Sequence, residues 1–147
     1  MGEYMIKVGN VNEMNPLYDE NLMIVRSADE VPPYAVQVAK LSPSKELFRK
    51  YRIEYHNGEF DKDWFDNIYV PSFIKDLSEN VEIKDMLESL CVKSKTKDIF
   101  ICCYCEDENL CHRSIIAGIL LGMGADIETN EKYLKYYKQY YELLLCN

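Results

Sequence analysis

The sequence contains no apolar run approaching the ~18 residues that a membrane-spanning helix needs, and this argues against a membrane partner. Its start, Met1-Gly2-Glu3-Tyr4-Met5-Ile6, has neither the basic residues nor the apolar stretch of a secretory signal. Ile6 stands where a myristoylation pattern requires Ser or Thr, and Cys146 lies too close to the end for the usual prenylation motif. Internal repeats, low-complexity tracts and linker-like Pro/Gly/Ser stretches are missing as well. Positive charge is in short supply: 17 Lys and Arg face 25 Asp and Glu, a formal charge of −8. General DNA coating is therefore not expected, because it rests on many cationic contacts to phosphate. A single focused basic pocket stays compatible with that balance.

What is present fits one folded domain over 1–147. The chain is 48% hydrophobic, and one of this length buries about 68–70% of the surface its unfolded form exposes. Cysteine is the residue in excess, with six in all and four between Cys102 and Cys111. Without an export signal there is no oxidising compartment to pair them. The expectation is a cytoplasmic protein with reduced thiols.

Hydrophobic patterning predicts a short strand over 4–8, an apolar run Leu22–Val25 ending at Arg26, and an extended stretch over 34–39. Ser42-Pro43-Ser44 reads as a helix start, with Ser42 as cap and Pro43 at the first helical position. That helix should carry Leu47, Phe48 and Tyr51 inward and stop near Asn57-Gly58. A second helix is predicted from Asp61, with Pro71 kinking or dividing it. Ile83, Met86, Leu87, Leu90 and Cys91 repeat at helical spacing. The segment 98–104 is apolar on both faces, as a fully buried strand is. A helix over about 111–123 follows, closed by Gly122 and Gly124, and a tyrosine-rich helix covers about 130–145. Strands alternating with helices point to an α/β domain with a parallel or mixed sheet flanked by helices.

The chemistry concentrates in Cys102-Cys103-Tyr104-Cys105-Glu106-Asp107-Glu108-Asn109-Leu110-Cys111-His112-Arg113-Ser114. It follows the buried strand and opens a helix, the place where ligands bind in open α/β sheets. A helix start favours anions, and Arg113 supplies a five-donor fork. Three readings stand side by side. In one, Cys111 and His112 form a catalytic pair, with Arg113 holding an anionic substrate. The spacing is not that of the tyrosine-phosphatase loop, in which five residues separate Cys from Arg. In the second, Cys103, Cys105, Cys111 and His112 ligate zinc or another soft metal. In the third, the thiols are small core residues and the charged groups pair internally. The preferred reading is a small enzyme acting on an anionic, nucleotide- or phosphate-bearing substrate without a resident cofactor. The alternative is a non-catalytic metal- or partner-binding module.

The order Cys103-x7-Cys111-His112-Arg113, between an apolar strand and an apolar helix, resembles the domain of unknown function 488 family. Leu41-Ser42-Pro43-Ser44-Lys45-Glu46-Leu47 is similar to that family's Leu-Ala-Pro-Ser-x-x-Leu segment, and the helix containing Trp64, Ile68 and Tyr69 falls where members carry a Tyr-rich helix. The resemblance spans roughly 22–123. It implies a small cytosolic bacterial or phage α/β protein, with Cys103, Cys111, His112 and Arg113 matching the motif. Cys105 stands where relatives are often acidic, and Ala28-Asp29-Glu30 where many are more basic. Ser114 and Arg26 complete the candidate binding residues.

On the final helix, Tyr133, Tyr137, Tyr140, Tyr141 and Leu144 share one face, with Lys132, Lys135 and Lys138 elsewhere. Such a stripe is most simply a packed face. It is also compatible with base stacking or with a homodimer contact. His56 reads as a helix C-terminal residue complementing the dipole, and Glu106-Asp107-Glu108 as a solvated loop.

Overall fold

The structure is a computed structural model, and it describes residues 4–146. It is a single α/β domain built on four parallel strands, β1 (Ile6–Asn10), β2 (Glu20–Met23), β3 (Ala35–Gln37) and β4 (Ile99–Cys103), in the order β1-β4-β2-β3. The helices are α1 (Lys45–His56), α2 (Lys62–Trp64), α3 (Val70–Ser78), α4 (Val81–Lys93), α5 (His112–Met123) and α6 (Leu134–Cys146). No helix among the described residues is long and apolar enough to cross a membrane.

β4 lies between β1 and β2, in register Val8↔Ile101 and Leu22↔Ile101, and all five of its residues are buried. This accounts for its apolar character on both faces: a parallel strand with a neighbour on each side and layers above and below has no solvent face. Its alternation sends Cys102 and Cys103 to opposite sides. The Cys102 Sγ donates to the Leu22 carbonyl, and burial pushes its thiol up to about 12. The free edge of β1 is covered where Ile6 N–H donates to Asp126 O and Glu128 N–H to Ile6 O.

Several boundaries differ from expectation for identifiable reasons. β1 runs two residues later than 4–8, and β2 ends at Met23, with Ile24 and Val25 continuing as buried loop. Ser44, not Ser42, caps α1, accepting from Leu47 N–H at 3.1 Å. Pro43 holds Ser42 extended, so the helix cannot begin before it. Only Leu47 of α1 is buried. Phe48 is 37% exposed and Tyr51 half-buried. The helix does stop as expected, with Gly58 at φ 71°.

Pro71 does not divide its helix. A π-helical segment, Phe65–Tyr69, joins α2 to α3, and Val70 N–H reaches back to Phe65 O. The wider turn lets the chain pass a proline that has no N–H to give. It also stacks Phe65 on Tyr69 with ring centroids 5.0 Å apart.

On α6 the buried tyrosines are Tyr133, which precedes the helix, with Tyr136 and Tyr140. Tyr137 is half-buried and Tyr141 exposed, so the inward face is rotated from the one expected. The rotation follows from the close approach of α5: a Cβ at Gly118 would lie 2.0 Å from Tyr133 O, and one at Gly122 would lie 2.0 Å from the Tyr137 ring. Gly122 is thus a packing residue, and Gly124, at φ 95°, ends α5.

Gly→Ala inside a helix normally stabilises by about 1 kcal/mol. Here Gly118→Ala is expected to do the opposite and destabilise by about 1–3 kcal/mol through overpacking against backbone. Urea unfolding checks the sign; an unchanged or higher midpoint would contradict the close approach.

Candidate functional site

A cavity of about 460 Å³ opens at the carboxyl ends of β2 and β4. Cys103 and His112 lie in its lining with Arg26 and Asp29, and Phe48, Tyr51, Tyr69 and Tyr104 contribute aromatic surface. The strand ends place Cys103 and Arg26, α1 brings Phe48 and Tyr51, and the π-helical segment delivers Tyr69. Asn10, at the end of β1, donates its side-chain amide to the carbonyls of Tyr104 and Cys105, 3.2 Å each, and so holds the loop that closes the site.

Three sulfurs gather beside this cavity. Cys103 Sγ lies 2.9 Å from Cys111 Sγ, both side chains buried and unbridged. Cys105 is half-buried and lines the cavity beside them. Thiols donated by Cys105 and Cys111 hold the Cys103 thiol well below its ordinary range, with the neighbouring His112 acting in the same direction. The other two move the opposite way. Hydrogen bonding to Cys103 raises Cys105, and burial followed by the same hydrogen bonding raises Cys111. One thiolate is thus concentrated on Cys103 and two thiols are left as donors. The cluster sits at the N-terminus of α5, where the helix dipole favours negative charge.

His112 Nε2 lies 2.6 Å from Ile24 O, so that nitrogen carries the proton, and Nδ1 faces Cys111 Sγ at 3.7 Å. Burial lowers the His112 pKa, partly offset by the nearby Cys103 sulfur and the Ile24 carbonyl. Phe73 packs edge-on against the ring.

Arg113 is 7% exposed and is not part of the cavity lining. Its Nη1 donates to Cys105 O at 2.5 Å and to Cys103 Sγ at 3.6 Å. Burial alone would pull its pKa down, but the charge on Cys103 outweighs that and raises it. Ser114 is buried and its hydroxyl donates to Cys111 O, which satisfies the hydroxyl within the first turn of α5. Of the residues singled out from sequence, Cys103, Cys105, His112 and Arg26 therefore meet the cavity. Cys111, Arg113 and Ser114 stand behind it.

Residues 21–124 match the family model described as the active DUF488-N3 subclade. The chain belongs to the domain of unknown function 488 family. Neither the curated proteins nor the solved structures provide a match. The part shared with the DUF488 family contains every residue named above in the cavity wall, whereas the Tyr-rich α6 lies outside it.

In this DUF488 domain, sequence reasoning missed Asn10, Phe48, Tyr51, Tyr69 and Tyr104 as site residues. The aromatics carried no signal separating a cavity wall from core. Asn10 could only be found through its contact with a loop more than ninety positions away.

Cys111→Ala removes one thiol donor from the Cys103 sulfur. A hydrogen bond to a charged group contributes about 1.5–3 kcal/mol, so the Cys103 pKa is expected to rise by roughly one to two pH units. The check is titration of thiolate ultraviolet absorbance, with Cys103→Ser subtracted to isolate that thiol. A superimposable titration would remove Cys111 from this role.

Proposed function

We propose that this protein is a small enzyme that uses the Cys103 thiolate on an anionic, nucleotide- or phosphate-bearing substrate. The observation that carries the reading is the Cys103 sulfur, 2.9 Å from the Cys111 sulfur and 3.6 Å from Arg113 Nη1, in the wall of a cavity that also contains an arginine and four aromatic rings. A volume of about 460 Å³ falls within the ordinary range for small-molecule sites. Flat aromatic walls suit a heterocyclic base. Arg26 spends Nη1 on Pro43 O at 3.0 Å and has the rest of its fork for an anion.

The roles follow from position. Cys103 is the nucleophile, forming a bond to an electrophilic centre of the substrate while the leaving group departs with its electron pair. Tyr69, kept protonated by burial and by the sulfur charge nearby, is a lining group with a proton to give. Cys111 and His112, the pair expected from sequence, act on Cys103: one donates to the sulfur, and the other sets its ring beside that donor. Arg113 is a positioning residue that neutralises the thiolate. The family description "active" agrees with an enzymatic reading. A reducing, cytoplasmic setting belongs to the same proposal, since the thiols must stay free.

A metal site is the second reading, because Cys103, Cys111 and His112 present three buried ligand atoms within 4.8 Å of one another. Two thiolates on tetrahedral zinc lie about 3.8 Å apart, given Zn–S near 2.3 Å. The observed 2.9 Å would have to open by almost an ångström. Arg113 already supplies positive charge to Cys103. Both points favour the thiolate.

Ribonucleoside monophosphates at millimolar concentration are expected to protect Cys103 from iodoacetamide, as mapped by mass spectrometry. Arg26→Ala should weaken that protection about tenfold or more, the equivalent of losing one charged hydrogen bond. Absence of protection by any nucleotide or by inorganic phosphate would overturn the substrate class. A full equivalent of zinc in protein purified without an affinity tag would replace the thiolate reading with the metal one; less than about a tenth would dismiss the metal.

A further inference from the structure

The acidity of the chain is unevenly distributed. α1 carries Lys45, Arg49, Lys50 and Arg52 against Glu46 and Glu54, on a protein of net charge −8. Lys50 is within 3.7 Å of Glu46, but Lys45, Arg49 and Arg52 form no ion pair among the described residues. Their charge is therefore available to a partner. The same outer face exposes Phe48, Ile53 and Tyr55 at 37%, 51% and 63%, a costly display for a helix that buries only Leu47. Arg52 sits over the Phe48 ring at 6.0 Å.

Lys45, Phe48, Arg49, Arg52 and Ile53, with Glu46 and His56, border a shallow, open depression of about 700 Å³ on the outer face of α1. Phe48 lines both this depression and the Cys103 cavity, so the two are contiguous through one ring. Tyr104, half-exposed, stands on the cavity wall and is open to a second stacking contact. Cations spaced along a helix face and interleaved with exposed aromatic rings match the chemistry of a single strand of nucleic acid, whose phosphates and bases alternate in the same way. An anionic membrane surface offers charge but no flat rings to stack. A duplex hides its bases.

We propose that α1 is a docking face for single-stranded nucleic acid, which presents one nucleotide of the strand to the Cys103 cavity. The proposal rests on the nucleotide reading of that cavity and extends it from a free nucleotide to one within a polymer. It is consistent with the net charge, since a short basic stripe replaces general coating. Of the two tyrosine- or phenylalanine-bearing basic helices, α1 has its rings outward, whereas α6 turns Tyr136 and Tyr140 into the core.

Fluorescence anisotropy with labelled DNA and RNA single strands of about 12 nucleotides tests it. The wild-type protein should bind in the micromolar range at low salt, with log K falling against log salt at a slope of about −2, as three cationic contacts require. Arg49→Glu/Arg52→Glu should weaken binding about tenfold or more, while circular dichroism and the alkylation rate of Cys103 stay unchanged. Arg49→Gln/Arg52→Gln should give an intermediate loss. Equal affinity of the charge-reversed and wild-type proteins would overturn the assignment, as would equal affinity for duplex. Absence of strand binding alongside nucleotide protection of Cys103 would refute this docking face and leave the cavity reading standing. Capture by phosphatidylserine vesicles without strand binding would reassign the face to a membrane surface. Self-association abolished by the charge reversal, again without strand binding, would assign it to a second copy of the chain.

Discussion

Arg113 is a guanidinium at the start of a helix whose first nine residues are all buried. A cation in that setting is tolerated only if opposite charge and hydrogen-bond acceptors are supplied to it. No carboxylate lies within ion-pair distance of it among the described residues, and its acceptors are the Cys105 carbonyl and the Cys103 sulfur. Much of the site follows from this requirement. The loop after β4 must fold back so that Cys105 O faces the guanidinium, and Asn10 fastens the same loop from β1. The sulfur beside the arginine must carry negative charge, and the two remaining thiols become donors to it. A buried cation and a buried thiolate thus each make the other affordable.

The scaffold keeps that arrangement dry and open on one side. β4 has no solvent face, α5 covers it, and α6 approaches α5 so closely that glycine is required at 118 and 122. This half of the molecule is densely packed. The opposite wall of the cavity is different in kind: α1 is anchored by Leu47 and its cap, and most of its residues face solvent. The Cys103 cluster thus sits on the dense half, and the outer wall of the cavity is the more exposed one. The π-helical turn before Pro71 is the joint between them, because it fixes Tyr69 in the cavity wall while passing a residue that cannot donate.

Elements with a strong local signal were legible from residues alone. The doubly apolar run before Tyr104, the repeat from Ile83 to Cys91, and the stops at Gly58 and Gly124 each reflect a local rule of periodicity or backbone conformation. The helix start at Ser42 misled because two serines flank Pro43, and choosing between them depends on the backbone angle that the proline imposes on its predecessor. The face of α6 misled because helical spacing allows adjacent tyrosine stripes, and the approach of α5 chooses between them. Within the motif, Cys111 stood out for its place at a helix start, a position that lowers a thiol's pKa in general. Burial and donation to Cys103 reverse that effect here.

Composition and patterning by themselves determined an α/β domain, the lack of any apolar run long enough to span a membrane, and the gathering of cysteine, histidine and arginine between Cys103 and Ser114. These properties are local, or summed over the chain, so they need no partner in space. Tertiary structure alone decided which of three neighbouring cysteines holds the charge and that Arg113 faces a sulfur instead of the cavity. It also decided that aromatic rings from residues 48 to 104 share one wall and that the outward basic face belongs to α1. Each of those depends on distances between residues far apart in the chain. Electrostatic and burial energies at such distances are set by the folded geometry, and a pattern of residue types does not encode them locally.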